Sequence, residues 1–281
     1  MGDMDFRRFQ QIDVFASAAC KGNPLAVVVD AEGLADAQMQ AFAAWTNLSE
    51  TTFLLPPTSG EADYRVRIFT TTTELPFAGH PTLGSCHAWL GAGGRPRSAG
   101  EIVQECGAGL VRVRMGERRL AFAAPPLTRS GELEQELLAR VLAGLGVSRD
   151  EVAGHQWLVN GPRWVGVLLR DAEQVLALRP DAAALTGLDI GVVGPYPAGS
   201  PLAFEVRGFP FSDGPIEDPV TGSLNAGIAQ WLIGNGTAPC NYIAGQGTAM
   251  GRAGRIYVSS DAGGIWIGGE CRTIIDGRVT I

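Results

Sequence analysis

The sequence has only three histidines among its 281 residues, and it contains no CxxC pair. His80 and His87 are seven residues apart, but no third metal ligand accompanies them, so a zinc site is not expected. The five cysteines are odd in number, which favours free thiols in a reducing compartment. We therefore predict a cytoplasmic protein without a metal centre.

Long apolar runs and basic clusters are also missing. The longest apolar stretches, such as 25–29, are far too short to span a bilayer, and the N-terminal segment has no apolar signal core. The formal charge is −7 and the pI is about 5.0. We therefore expect neither a nucleic-acid nor a membrane partner. A small anion is still a candidate ligand, because one helix N-terminus is enough to bind it.

Apolar residues make up 46% of the chain and glycine contributes 38 residues, which indicates a large core and many tight turns. Alternating and β-branched runs predict strands, and amphipathic runs predict helices. The predicted strands are 9–15, 25–29, 51–55, 64–69, 164–169, 256–259, 265–267 and 278–281. The predicted helices are 34–45, 133–145, the run from Gly79 to Leu90 and the run from Gly222 to Ile233.

Two segments about half the chain apart share one pattern. Each contains V-R-x-F, then a glutamate, then PxxGxxxxG; the first segment spans 66–84 and the second 206–227. Their repetition in the same order favours a duplicated domain over chance. Gly84 and Gly227 lie inside the predicted helices, where glycine costs about 1 kcal/mol relative to alanine. We therefore expect close packing at both glycines.

The duplication predicts two halves, residues 1–124 and 125–281. The segment 123–127, with two alanines and two prolines, is the expected linker. The last few residues, about 274–281, are candidates for a return to the first half.

Each glycine turn places backbone N–H groups at a helix N-terminus, where unsatisfied donors and partial positive charge attract carboxylates. Two such ends would bind a small carboxylic acid. The alternative is ordinary capping, with Thr82 or Ser223 closing its own helix. The matching pair of motifs favours the ligand site.

Three acid–base candidates stand near these motifs. Glu50 follows an amphipathic helix and precedes an apolar strand, and desolvation there would raise its pKa toward the range useful for proton transfer. From the pattern alone, a solvated glutamate at a strand start is the stronger alternative. His80 would be neutral at a helix N-terminus and could bond a substrate, or it could be a surface cap. Asp218 could pair with His80 or bind a substrate amine, or it could be a turn aspartate.

Four motifs together resemble the PhzF-like family, which is named for an isomerase of phenazine biosynthesis. They are D-V-F with G-N-P-L-A-V (13–27), N-L-S-E-T-T-F (47–53), E-L-P-F-A-G-H-P-T-L-G (74–84) and E-D-P-V-T-G-S (217–223). The match covers essentially the whole chain. It implies an α+β fold like that of diaminopimelate epimerase, with two pseudo-symmetric halves and an active site in the cleft between them. Each half would be a curved, mostly antiparallel sheet wrapped around a central helix.

The resemblance also implies site residues, a homodimer and the absence of cofactors. The implied catalytic residues are Glu50, His80 and Asp218. The implied substrate-binding residues are Gly79, Pro81, Thr82, Gly222 and Ser223.

We therefore predict an isomerase that moves a proton of a small carboxylate with Glu50 as its single base. The candidate substrate is trans-2,3-dihydro-3-hydroxyanthranilate or a related amino acid. Racemases of this fold carry a cysteine beside each loop glycine, whereas this chain has Ala78 and Thr221 there. The alternatives are a non-catalytic ligand-binding protein on the same fold and, less favoured, a thiol-dependent racemase or epimerase.

Overall fold

A computed structural model describes residues 6–212 and 217–281. The chain forms two compact units, Met1–Ala123 with Gly268–Ile281, and Ala124–Ile267. The fold is of the mixed α/β class, which confirms the predicted class. None of the helices in the described ranges is long and apolar enough to cross a membrane.

The first unit is one sheet around a central helix. Its strands are β1 (Phe6–Val14), β2 (Asn23–Val28), β3 (Thr51–Leu55), β4 (Tyr64–Phe69), β5 (Glu74–Leu75), β6 (Glu101–Cys106), β7 (Gly109–Met115), β8 (Leu120–Ala123) and β16 (Cys271–Thr280), and its helices are α1 (Asp36–Thr46) and α2 (Gly79–Gly91). The strand order is β16-β1-β2-β3-β4-β6-β7-β8, with β5 added to β4. Strands from both ends of this order pack against α2, so the sheet curves around that helix.

The second unit repeats this plan. Its strands are β9 (Val152–Val159), β10 (Arg163–Leu169), β11 (Asp189–Pro195), β12 (Phe204–Pro210), β13 (Asn241–Gln246), β14 (Gly254–Asp261) and β15 (Gly264–Gly269), and its helices are α3 (Gln135–Leu145), α4 (Ala172–Ala177) and α5 (Gly222–Gly234). The strand order is β15-β14-β13-β12-β11-β10-β9. Most residues of α5 are buried, as they are in α2.

The pairing of strands is the same in both units. Along the chain, β1–β2 is antiparallel, β2–β3 parallel, β3–β4 antiparallel, β4–β6 parallel and β6–β7 antiparallel. The pairs from β9–β10 to β13–β14 follow the same alternation. Each parallel pair is joined by a crossover that contains a helix, which is the connection that parallel strands require.

The glycines inside the two central helices lie where side chains from the sheet approach the helix closely. A Cβ at Gly84 would stand 2.5 Å from Leu25 Cδ2, and a Cβ at Gly227 would stand 2.9 Å from Leu158 Cβ. No alanine fits at such distances without displacing its neighbour. The expected close packing at both positions is confirmed, and it offsets the low helix propensity of glycine.

Candidate active site

Glu50 lies in the short connection between α1 and β3. Asn47 ends α1 in the left-handed conformation, with φ of 53°. The Thr46 and Thr51 hydroxyl oxygens are 2.8 Å apart, so a hydrogen bond closes the turn around Glu50. The Glu50 side chain is only 15% exposed. The alternative of a fully solvated glutamate is therefore wrong.

His80 is the second residue of α2, and its ring is almost completely buried. Its Nε2 atom is 3.3 Å from Glu50 Oε2, and its Nδ1 atom is 3.4 Å from Asn23 Nδ2. The two ring nitrogens therefore face polar groups inside the buried site, the Asn23 amide on one side and the Glu50 carboxylate on the other. The alternative of a surface cap is wrong for this histidine.

Burial lowers the pKa of His80 from 6.5 to about 3. The ring is therefore neutral near pH 7, as the sequence predicted, although the main cause is desolvation rather than the helix N-terminus. A neutral imidazole does not compete with Glu50 for a proton near pH 7. Glu50 is therefore the candidate base of this pair.

A buried chain of hydrogen bonds fixes the first turn of α2. Tyr64 donates its hydroxyl to Gln104 at 2.8 Å, Gln104 Nε2 donates to the Thr82 hydroxyl at 3.0 Å, and that hydroxyl donates to the Ala78 carbonyl at 2.9 Å. Thr82 therefore does not cap its helix, and within the described residues Ala78 provides no side-chain cap. Pro81 adds no N–H and the Thr82 N–H donates to the Ala78 carbonyl, so the backbone donors of this turn without an intrahelical acceptor are those of Gly79 and His80.

The first turn of α5 has a related arrangement. The Trp164 indole N–H donates to Ser223 Oγ at 3.1 Å, and Asn160 Nδ2 donates to the Ser223 carbonyl at 2.8 Å. Ser223 therefore does not cap its helix either, and the capping alternative is wrong in both motifs. Since the indole only donates, the Ser223 hydroxyl oxygen accepts this bond and its own hydrogen takes no part in it.

Asp218 lies on the loop before α5, and hydrogen bonds to both its backbone and its side chain fix its position. Its N–H donates to the Gly208 carbonyl at 2.9 Å, which adds the loop to β12. The Thr221 hydroxyl donates to Asp218 Oδ2. The preceding residue, Glu217, forms a two-bond ion pair with Arg207, at 2.9 and 2.7 Å.

The predicted site residues thus form two clusters, each within one unit. The α2-start cluster contains Glu50, Gly79, His80, Pro81 and Thr82. The α5-start cluster contains Asp218, Gly222 and Ser223. Sequence reasoning missed the neighbours that orient them, Asn23, Trp164 and Thr221. Among the described residues, no three His, Cys, Asp or Glu side chains are grouped so that they could hold a metal ion.

The depressed pKa of His80 predicts a pH effect on stability. Below pH 6.5 the unfolded chain binds a proton at His80, whereas the folded chain binds it only near pH 3. The free energy of unfolding therefore decreases as the pH is lowered from 6.5 to about 3. Between pH 7 and pH 4.5, wild type should lose about 2 kcal/mol more free energy of unfolding than His80→Gln. Denaturant unfolding of both proteins at the two pH values measures this, and equal losses would contradict a buried neutral histidine.

Comparison with known proteins agrees with this architecture. Residues 12–277 match the family described as phenazine biosynthesis-like protein, PhzC-PhzF. The chain is 35% identical to antisense-enhancing sequence 1 of Schizosaccharomyces pombe, covering 96% of this chain and 97% of that protein. It is 34% identical to trans-2,3-dihydro-3-hydroxyanthranilate isomerase of Pseudomonas fluorescens, covering 89% of each. A PhzF-family crystal structure from Enterococcus faecalis superimposes with a TM-score of 0.82 at 25% identity, covering 99% of this chain and 100% of that one.

Several further relatives are also named isomerases, which confirms the predicted class of enzyme. The protein is an isomerase. More particularly, the chain belongs to the phenazine biosynthesis-like (PhzC-PhzF) family.

Proposed function

We propose that this protein isomerises a small carboxylate without a cofactor, and that Glu50 both removes and returns the proton. The observation that carries the proposal is the Glu50–His80 pair, with 3.3 Å between Glu50 Oε2 and His80 Nε2. A neutral imidazole lies beside the carboxylate inside a largely buried site. General acid–base catalysis needs a group in this state, positioned and able to accept a proton.

The proposed step moves one proton and one double bond. The Glu50 carboxylate takes a proton from a carbon of the substrate, and the C–H electrons enter the adjacent π system. The same carboxyl group, now the acid, delivers the proton to a carbon further along that system on the same face. Bonds and electrons balance without an oxidant or a second base. His80 lies beside Glu50 and limits the positions that the carboxyl group can take.

We assign the substrate carboxylate to backbone N–H groups at the helix starts and to the Ser223 hydroxyl, whose hydrogen is not used in the bond from Trp164. Asp218 is assigned to a cationic or donor group of the substrate, such as an amine. These assignments favour an amino acid or a hydroxylated relative. Since one curated relative is named trans-2,3-dihydro-3-hydroxyanthranilate isomerase, that compound is the first candidate. A homodimer in the cytoplasm, without a nucleic-acid partner, completes the proposal.

A thiol racemase receives less support. The residues before the two loop glycines are Ala78 and Thr221. Cys86 is completely buried, and burial raises its pKa to about 12, so it is a poor source of thiolate. Burial also raises the pKa of Cys106 and of Cys271.

Proton exchange tests the proposal directly. The protein is incubated in D2O with dihydro-hydroxyanthranilate and a panel of small amino and carboxylic acids, and NMR follows each C–H signal. We expect deuterium to enter one compound at the carbon that is protonated, with the same rate before and after thiol alkylation. Loss of exchange on alkylation would support the racemase instead. Binding without exchange for any compound would support the binding protein.

A further inference from the structure

Gln246, the last residue of β13, is fully buried and makes four hydrogen bonds to the loop before α5 and to the first turn of that helix. Its Oε1 atom accepts from the Thr221 N–H at 3.0 Å and from Asn225 Nδ2 at 2.8 Å. Its Nε2 atom donates to the Asp218 carbonyl at 3.1 Å and to the Thr221 hydroxyl at 3.0 Å. Every hydrogen-bonding position of this amide is thus directed at three residues of one loop and helix start.

The direction of each hydrogen bond of the Gln246 amide follows from the Thr221 backbone N–H, which is a donor only. The Thr221 backbone N–H can only donate, so the amide atom facing it must be the oxygen, Oε1. The other amide atom is then the nitrogen, which must donate to the Thr221 hydroxyl oxygen. That hydroxyl accepts from Gln246 and therefore turns its own hydrogen to Asp218 Oδ2. The Gln246 amide thereby sets the direction of a hydrogen bond that ends on the Asp218 carboxylate.

We propose that Gln246 is a positioning residue that acts through Thr221 to fix the Asp218 carboxylate as a hydrogen-bond acceptor in the orientation that faces substrate. The proposal rests on the proposed function in one respect, the role of Asp218. It adds two residues, Gln246 and Thr221, that act on the reaction without touching the reacting atoms.

The first unit supplies a comparison within the same chain. Gln104 is fully buried on the strand that follows α2, and its Nε2 atom donates to a threonine hydroxyl, that of Thr82. That hydroxyl passes its hydrogen to the backbone carbonyl of Ala78 and not to an acid. Aligned on the loop glycines, Leu75 and Ala78 stand where the second unit has Asp218 and Thr221. A buried glutamine bonded to the fourth residue of the central helix, Thr82 or Asn225, is therefore common to both units, whereas the bonds to Thr221 and the link to a carboxylate belong to the second.

Removing the hydroxyl tests the link. Thr221→Val keeps the shape of the side chain but cannot donate to Asp218, and Thr221→Ser keeps the hydroxyl. We expect Thr221→Val to lower kcat about 10–100-fold, the size typical of outer-shell hydrogen-bond partners, with a smaller change in KM. Thr221→Ser should stay within about threefold of wild type. Equal rates for the two variants would overturn the proposal.

Changing the glutamine gives a second, pH-dependent test. Gln246→Glu is nearly isosteric, but a carboxylate cannot donate to the Thr221 hydroxyl, whereas the protonated acid can. Its activity relative to wild type should therefore rise as the pH falls from 8 to 5.5. Gln230→Glu is the matched control, since Gln230 lies on α5 and donates to the Pro125 carbonyl at 2.9 Å, outside the loop. Matching pH profiles for the two variants would show that Gln246 has only a structural role.

A readout without substrate separates this proposal from the proposed function. NMR titration of ¹³C-labelled carboxyl groups follows Asp218 in the free protein. The titration midpoint of Asp218 should move to higher pH in Thr221→Val and stay in place in Thr221→Ser, because the lost bond favours the charged form. This result supports the link even if wild type exchanges no proton with any compound. An unchanged midpoint in Thr221→Val would overturn the link even in an active enzyme.

Discussion

Glu50→Gln is expected to reduce deuterium uptake by at least about 10³-fold, within the range attributed to positioned acid–base groups. The amide has the shape of the carboxylate but cannot take a proton from carbon. The amide fills the same space beside His80 as the carboxyl group, so the fold around the pair should persist. Initial rates of uptake measured by NMR, together with thermal unfolding and ligand titration, separate lost chemistry from lost structure.

Two further variants sharpen this result. Glu50→Asp keeps the charge but withdraws the carboxylate by one methylene, so we expect a partial loss, since small misplacements of a catalytic group are costly. Glu61→Gln makes the same chemical change as Glu50→Gln at an exposed residue and should leave the rate unchanged. Wild-type rates in Glu50→Gln would exclude Glu50 as the base.

Glu217→Ala is expected to destabilise the protein by about 3–5 kcal/mol, because it leaves the buried Arg207 guanidinium without its counter-ion. The two side chains are only 6% and 14% exposed. Arg207 Nη1 also donates to the carbonyls of Val175 and Leu178, which fixes the guanidinium at the end of α4. A charge held in this way cannot move to solvent when its partner is lost.

The first unit offers the matched control. Arg67 pairs with Glu74 through the same two-bond geometry, but the side chains are 17% and 41% exposed, and Asp36 provides a second partner. Glu74→Ala should therefore cost at most about 1 kcal/mol. Denaturant unfolding of both variants measures the contrast, and equal costs would show that burial does not decide the value of these pairs. Replacing both Arg207 and Glu217 by methionine should recover most of the loss.

The sequence was most informative where local pattern and packing agree. Strands β3 and β4 have the bounds that alternation predicted, and α2 and α5 extend one residue beyond their predicted ends. The low helix propensity of glycine was enough to predict close packing at Gly84 and Gly227. In contrast, β11 contains two glycines and a terminal proline, and α4 has only six residues, so neither has enough periodic positions to be detected.

The same distinction applies to the site. Glu50, His80 and Asp218 stand in short motifs whose residue types suggest chemistry. Asn23 bonds to a residue 57 positions away and Trp164 to one 59 positions away, so their roles arise only from the tertiary fold. Asn23 did stand in a G-N-P motif, and that motif was the one available signal for it.

The position of β16 affects the order in which the protein can be completed during synthesis. The whole second unit is one uninterrupted segment, Ala124–Ile267, whereas the first unit needs β16, whose residues Cys271–Thr280 are translated after that segment. Until then β1 lacks the neighbour with which it pairs along its entire length, and its backbone donors and acceptors on that side are open to other strands. The half of the molecule whose translation begins first is therefore completed only after the second unit has been made, and the nascent chain depends on β16 to close that edge.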